Sequence, residues 1–568
     1  MKNSIFFSTK QCLLALLLLL ASVFTASAAD FMVDGIYYNI IGDNQVEVTA
    51  PDSTKYSGDI TIPATVVNDG ITYQVTRLGN NAFFYCSGLT SIILPEGITE
   101  IGESAFCVCD HLEYVDLPNS LVTIGAYAFQ GCRALTSFYI PRNVTSIARG
   151  AFLNCTSVND FMVSGSNPSY KSVAGVLFTR DMTTLVAYPP AATATSYAIP
   201  ETVTKLQYFA FHYNDYLTQV TIPESVTWVG GAAFRGCDGL TSLYFPDGIT
   251  YIGSSGFCDC DNLTSVHLPA NLDTIHNSTC RGLTSLTEIT IPRSVRCIDN
   301  YGFQYSSGLK SVIFEEGSCL DSIGLCAFDN CTSLESFDMP NTVTKIGAEP
   351  FGLCYSLTSV HLSDNLPILR ASTFFDCTSL AEVEVPSSVT FLDNNSFCGC
   401  TSLKRLKIGD KDATTCNTVI GYGQALRSPS LERIELGANI SGLKGDAFGY
   451  CGSLKVLISW SLTPPISVDG YNPFYSSTRY ATLYVPKAAL EAYQTADHWK
   501  NFSAIVPIED VGDINRDGNI SIADVTALID LLLGNDMGDA AKLSDVNLDG
   551  SVTITDMTAL IDRLLGSN

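Results

Sequence analysis

The chain has little of what catalysis or nucleic-acid binding needs. Only six of its 568 residues are histidine: His111, His212, His267, His276, His361 and His498. They are scattered, with no metal-ligand spacing among them. No His-Glu-x-x-His, Gly-x-Ser-x-Gly, Gly-rich phosphate loop or Cys-x-x-Cys occurs, which removes the common signatures of metalloproteases, serine hydrolases, nucleotide-binding enzymes and dithiol oxidoreductases. Positive charge is also scarce. Thirty-one Lys and Arg against 57 Asp and Glu leave a formal charge of −26, so nucleic acid and anionic lipid are not expected partners. No stretch after the N-terminal leader approaches the roughly twenty apolar residues of a membrane span. A non-catalytic, non-membrane-spanning protein is the expectation.

The leader itself is a processing segment. Lys2 and Lys10 precede the apolar run Leu13–Leu20, which leads to Ala26-Ser-Ala28. A positive start, a short apolar run and small residues at the cut predict a signal peptide over 1–28 and an exported mature chain. Cys12 lies before the apolar run, which argues against a lipid anchor at the cleavage site.

What the chain has in abundance is one phrase. It reads Leu89-Thr-Ser-Ile-Ile-Leu-Pro95, Ile98, Ile101-Gly102, Ala105-Phe106, Cys109, and then recurs from Leu112 to Cys132. Numbered by its Phe, the slot falls at Phe83, Phe106, Phe129, Phe152, Phe211, Phe234, Phe257, Cys280, Phe303, Phe328, Phe351, Phe374, Phe397, Ala425 and Phe448, and eleven of the fourteen steps are 23 residues. A fixed period of this length means a stacked solenoid in which no repeat buries its apolar face alone. Alternating apolar residues six to eleven positions after the Phe predict a short strand, which Pro often ends. The dozen remaining residues exclude long helices. Eleven of the 20 cysteines sit three residues after the slot. One column of one residue type reads as a buried packing ladder rather than as disulfides.

Three interruptions break the period: the 59-residue step from Phe152 to Phe211, and smaller insertions at Glu316–Asp321 and around Asp410–Gly421. Gly175-Val-Leu-Phe178 and Thr184-Leu-Val-Ala-Tyr-Pro189 predict an added strand pair in the first.

The phrase Leu-Thr-Ser-Ile-x-Leu-Pro…Val-Thr-x-Ile-Gly-x-x-Ala-Phe-x-x-Cys resembles the BspA-type leucine-rich repeat of bacterial surface proteins. The resemblance covers roughly Asp30 to Pro507 and implies a mainly β solenoid of parallel stacked short strands. The tail Leu483-Tyr-Val-Pro486, Leu490-Glu-Ala-Tyr493, Trp499-Lys-Asn-Phe502 is similar to the segment that closes such arrays. The expected divisions are an N-terminal cap over 29–79, repeats over 80–458 and a C-terminal cap over 459–508.

The last sixty residues carry the one recognisable chemistry. Asp513, Asn515, Asp517, Gly518, Asn519, Ser521 and Asp524 recur 32 residues later as Asp545, Asn547, Asp549, Gly550, Ser551, Thr553 and Asp556. Oxygen side chains at loop positions 1, 3, 5, 9 and 12, with Gly at 6 and a backbone carbonyl at 7, suit a hard cation. Two Ca2+ ions are expected. Each loop is followed, not preceded, by a helical pattern: Val525, Leu528, Ile529, Leu532 and Met557, Leu560, Ile561, Leu564. With Asp at position 12, this small α-helical unit over 509–568 resembles a type I dockerin, which implies docking onto a cohesin domain of a scaffold or surface protein. In that family loop positions 10 and 11 help choose the cohesin; here they are Ile522–Ala523 and Ile554–Thr555, not the Ser-Thr pairs common there. The near-duplicate halves imply that either could face the partner.

Strand positions eight and ten after the Phe are expected to point away from the core. They carry Tyr114, Tyr139, Tyr244, His267, His361, Asp116, Asp338, Glu384, Arg405, Lys407, Arg433 and Glu435. Tyr114, Tyr139, Tyr244, His267 and His361 are the candidate ligand face, suited to sugars or a protein. Two roles follow from the resemblances. One is a secreted, surface-associated bacterial binding or adhesion protein for a host matrix protein or glycan. The other is an accessory, substrate-binding component of a cellulosome-like polysaccharide-degrading complex.

Overall fold

A computed structural model describes residues 29–51, 55–414, 417–424, 428–534 and 542–566. The leader segment and the Ala425 slot lie outside those residues. The chain forms two compact units, divided between Thr193 and Ala194.

Each 23-residue turn has the same construction. The strand after the Phe pairs in parallel with its counterpart one turn on, as Ser137–Ile140 does with Asp160–Val163 and Ser242–Tyr244 with Ser265–His267. A second strand of only two residues does likewise at the x-Ile position, as in Glu100–Ile101 and Thr123–Ile124. The turn around the Phe has alternate residues hydrogen-bonding to the next turn. Ser104, Phe106 and Val108 donate to the carbonyls of Ala126, Ala128 and Gln130, while Ala105, Cys107 and Cys109 donate back within their own turn. That alternation places positions two before and two after the Phe in left-handed backbone, φ 55° at Ser104 and 61° at Val108. Val is a costly residue there, so the stacking of turns overrides local preference.

The core is a column of rings. Phe83, Phe106 and Phe129 stack at 5.1 and 5.0 Å, and Phe211 and Phe234 at 4.9 Å. The recurring Gly beside it is required by close approach: a Cβ at Gly125 would lie 2.6 Å from the carbonyl carbon of Gly102. The cysteine column is reduced and buried. Nine of the eleven thiols span one turn to the carbonyl of the previous Phe slot, whereas Cys451 bonds to Gly449 O within its own turn. Cys109, Cys132 and Cys155 donate to Phe83, Phe106 and Phe129 at 3.0, 3.2 and 3.0 Å, and Cys237 and Cys260 repeat the contact at 2.9 and 3.0 Å. At three other slots Ser306, Ser428 and Ser477 make the same bond, while Leu283 holds the position without a donor. The bond thus needs a small donor rather than sulfur as such.

In the first unit an antiparallel meander, Phe31–Val33, Ile36–Gly42 and Gln45–Thr49, starts the array, and Gln45–Thr49 passes by parallel pairing to Ile71–Leu78. The insertion after Phe152 is a three-stranded antiparallel meander, Tyr170–Val173, Val176–Thr179 and Thr184–Ala187, one strand more than the expected pair.

In the second unit the parallel sheet that begins at Glu382–Val385 runs through Arg405–Ile408, Arg433–Leu436 and Val456–Ser459, and does not stop there. Thr482–Val485 and Ala504–Pro507 add two further parallel rungs. Phe474 stacks 6.5 Å from Phe448 as a further slot, and Ser477 fills its donor column. A short helix α1 (Leu490–Thr495) with Tyr493, Trp499 and Phe502 then closes the end over Phe474. Helices α2 (Ile522–Leu532) and α3 (Ile554–Leu565) form the tail module.

Candidate functional site: a calcium-loop module on the end of the array

The candidate ligand-face residues all stand on the outer side of the first strands. Tyr114 and Tyr139, in the first unit, are exposed and paired in register with Ser91 and Met162. In the second unit Tyr244 stacks on His267 at 4.5 Å with 9° between the rings, and His267 Nε2 lies 3.6 Å from Asp247 Oδ1. His361 is exposed, in register with Asp338. Of these five, only Tyr244 and His267 are in ring contact.

At the end of the second unit the outward positions point away from the core as expected, but the outer face there is covered. Side-chain exposure falls to 15% at Arg433 and 19% at Glu435. The next rungs put Val456, Ile458, Tyr484 and Val506 outward, and these are buried beneath Leu543 and Leu548 of the tail. The sequence signal was present: earlier turns keep at least one polar or tyrosine residue at the two outward positions, whereas Val456 and Ile458 are both aliphatic.

The two loops are curled by their own carboxylates. Asp513 accepts the N–H groups of Asp517 and Gly518 at 3.1 and 2.9 Å; Asp545 accepts those of Asp549 and Gly550, both at 2.9 Å. Gly518 and Gly550 both have φ 87°, the turn that position 6 demands. Asp517 Oδ1 and Asp549 Oδ1 accept the N–H groups of Asn519 and Ser551, and Asn515 and Asn547 side-chain oxygens reach Asp517 and Asp549 N–H. At position 12, Asp524 and Asp556 are fully buried. Asp524 accepts from Ile514, Asn515 and Ser521 N–H, drawing both ends of the loop to one carboxylate.

A second role for positions 9 and 12 is a capping box. Ser521 and Thr553 are the N-caps of α2 and α3, accepting from Ala523 and Thr555 N–H, while Asp524 and Asp556 accept from the cap N–H groups. The Ser-x-x-Asp and Thr-x-x-Asp spacing carried this signal in the sequence. Burial pushes the Asp545 carboxyl up to about 6, with Asp556 and Asp549 adding repulsion. These carboxylates and amide oxygens are donors of the type a hard divalent cation takes, although among the described residues no group of three or more His, Cys, Asp or Glu side chains is drawn together as a metal site.

Between the helices Val525, Ala527, Leu528 and Leu560 pack together with Ile514. The other half of each apolar stripe, Ile529, Leu532, Ile561 and Leu564, remains exposed. So do Ile522 and Ile554, at 74% and 61% exposure, with Ala523 and Thr555 beside them. The four residues expected to meet a partner thus lie on a free helical surface. Among the described residues no helix is long and apolar enough to cross a membrane.

Parallel short strands around stacked Phe and Cys columns, ended by a paired-loop helical module, define a leucine-rich repeat solenoid with a calcium-type docking tail. The chain belongs to the BspA-type leucine-rich repeat family, whose model matches in six copies over residues 67–174, 191–310 and 321–455, and it carries a dockerin type I domain over 511–565. Both are non-catalytic binding modules; dockerin type I domains bind calcium and imply a cohesin partner, and such proteins are typically extracellular or surface-associated. Among solved structures, a leucine-rich repeat protein from Bacteroides ovatus is 26% identical, covering 72% of this chain and 94% of its own, with TM-score 0.43. One from Eubacterium ventriosum is 21% identical (65% and 93%, TM-score 0.39), and a leucine-rich cell surface protein from Faecalibacterium prausnitzii 22% (77% and 96%, TM-score 0.37). No curated protein matches the chain.

Proposed function

We propose that this is an exported, non-catalytic binding protein. Its solenoid face takes a protein or glycan ligand, and its tail, loaded with two Ca2+ ions, attaches it to a cohesin-bearing surface or scaffold protein. The observation that carries the reading is the pair of loops with matching hydrogen bonds from Asp513 and Asp545 to the backbone, each loop feeding a helix whose outer apolar residues have no cover. Calcium supplies the charge that offsets the carboxylates of each loop. The loops then fix the angle at which Ile522–Ala523 and Ile554–Thr555 are offered.

The exposed Tyr244–His267 pair lies face to face, presenting its edges and outer faces, which suits a protein or a glycan contact alike. The second role, an accessory part of a cellulosome-like polysaccharide-degrading assembly, therefore stands beside adhesion to host matrix. The test is calcium-dependent capture of the full chain by a cohesin from the producing cell's surface fraction. Capture that persists undiminished in excess chelator refutes the attachment mechanism. Retention on insoluble plant polysaccharide but not on fibronectin or fibrinogen would remove the adhesion reading.

A further inference from the structure

The two calcium loops are duplicates in sequence but not in surroundings. At loop position 4 the first has Arg516 and the second Leu548, both in left-handed backbone with φ 63° and 56°. Residues Asn515 to Asn519 are all exposed, whereas Asn547, Leu548 and Gly550 are half-buried. Leu548 lies with Leu543 on the sheet face formed by Val456, Ile458, Tyr484 and Val506. Arg433 donates from Nη1 to the carbonyl oxygens of Asn547, at 3.0 Å, and of Leu548, inside the loop itself. Its Nη2 is held by Glu435 at 3.2 Å, and the other Glu435 oxygen accepts Trp460 Nε1 at 3.0 Å. The Tyr484 hydroxyl donates to Lys542 O at 3.3 Å. A Cβ on Gly550 would come within 2.8 Å of the Lys455 side chain, so the fit is close at position 6 as well. A branched apolar residue in left-handed backbone gains nothing in a solvated loop; packed on this sheet it buries apolar surface.

We propose that the sheet face of the last repeats is the receptor for the second calcium loop, and that this contact makes the duplicate loops unequal. The solenoid holds loop 2 in its ion-binding shape through Arg433 and Leu548 before calcium arrives; loop 1 must order itself. A preorganised site avoids the ordering cost and binds more tightly. By reciprocity, calcium in loop 2 tightens the tail on the array by the same factor, so the joint between the binding surface and the docking module is stiffened by the ion. The inference rests on the calcium reading of the loops, and the test separates the two.

The full chain, stripped of metal, is titrated with calcium alone by calorimetry while tryptophan fluorescence and acrylamide quenching are followed. Trp460→Phe identifies that residue's share of the signal. Two affinity classes are expected, separated by about tenfold, a usual size for such coupling, with the Trp460 change following the tighter class. Leu548→Arg, which installs the loop 1 residue at a position where loop 1 tolerates it, and Arg433→Ala should each merge the classes and raise Trp460 quenching. Two equal classes in the wild type, or classes unmoved by both variants, overturn the proposal. If no calcium binds, the calcium reading fails; quenching of the metal-free chain then decides the docking, and no increase in either variant overturns it.

Discussion

Cys132 tests what the cysteine column is for. Its Sγ is fully buried and donates to Phe106 O at 3.2 Å. That carbonyl also accepts Cys109 N–H at 3.3 Å, so removing the thiol does not orphan it. Loss of the hydrogen bond alone is therefore at the low end, about 0.5–1 kcal/mol. Cys132→Ala also leaves a void of about a methyl group, costing about 1 kcal/mol more. The sum is about 2 kcal/mol. Cys132→Ser keeps a donor in the position that Ser306 occupies toward Cys280 O at 2.8 Å, so its expected cost is about 1 kcal/mol or less. The measurement is urea unfolding followed by circular dichroism, with amide exchange of the peptides around Phe106 and Cys132 as the local readout. If the column serves only apolar packing, Ala should do no worse than Ser, because Ala buries no hydroxyl. An Ala variant as stable as the Ser variant refutes the donor argument.

Phe106→Ala removes a ring stacked on both sides, at 5.1 and 5.0 Å, and should cost about 3–5 kcal/mol in the same assay, with exchange protection lost first in the two adjacent turns; a change below 1 kcal/mol contradicts a continuous ring core. Burial pushes the Cys107 thiol up to about 11 and those of Cys155, Cys258 and Cys451 to about 12. The folded state thus keeps protons that unfolded thiols lose above about pH 8.5, so stability is fully present below that pH and falls as pH rises toward 11–12; a circular-dichroism pH series that stays flat to pH 11 contradicts it. Among the described cysteines only Cys319 is exposed, so in a chain without residues 1–28, which carry Cys12, and with Cys416→Ser, one thiol should react promptly with a maleimide at pH 7 and Cys319→Ser should abolish the reaction. Removing calcium from the full chain should reduce the helical signal, that of α2 first because its loop is not held by the array, while the β signal of the array persists; simultaneous loss of both signals would contradict separate folding of array and tail.

The repeat, its strands and the pairing of the two loops were legible because each depends on short-range spacing. A 23-residue period fixes which side chains stack, and Asp513 to Asp524 lie on one tight turn closed by its own carboxylates. The closing rungs were less visible: Phe474 follows Phe448 by 26 residues, and its donor is Ser477 rather than Cys, so the pattern slips where the structure continues. The use of Ser521 and Thr553 as helix caps was written in the sequence but hidden beneath the calcium pattern. Arg433 and Glu435 are the clearest case of what local pattern does not hold. Their strand position puts them outward, as expected, but outward is exposed only if nothing lies on top. The contact joins residues more than a hundred positions apart, and no periodicity links them. Local sequence determined a solenoid and two matching acidic loops; only tertiary packing decided that one of those loops rests on the solenoid, because burial belongs to the surfaces that meet and not to either segment alone.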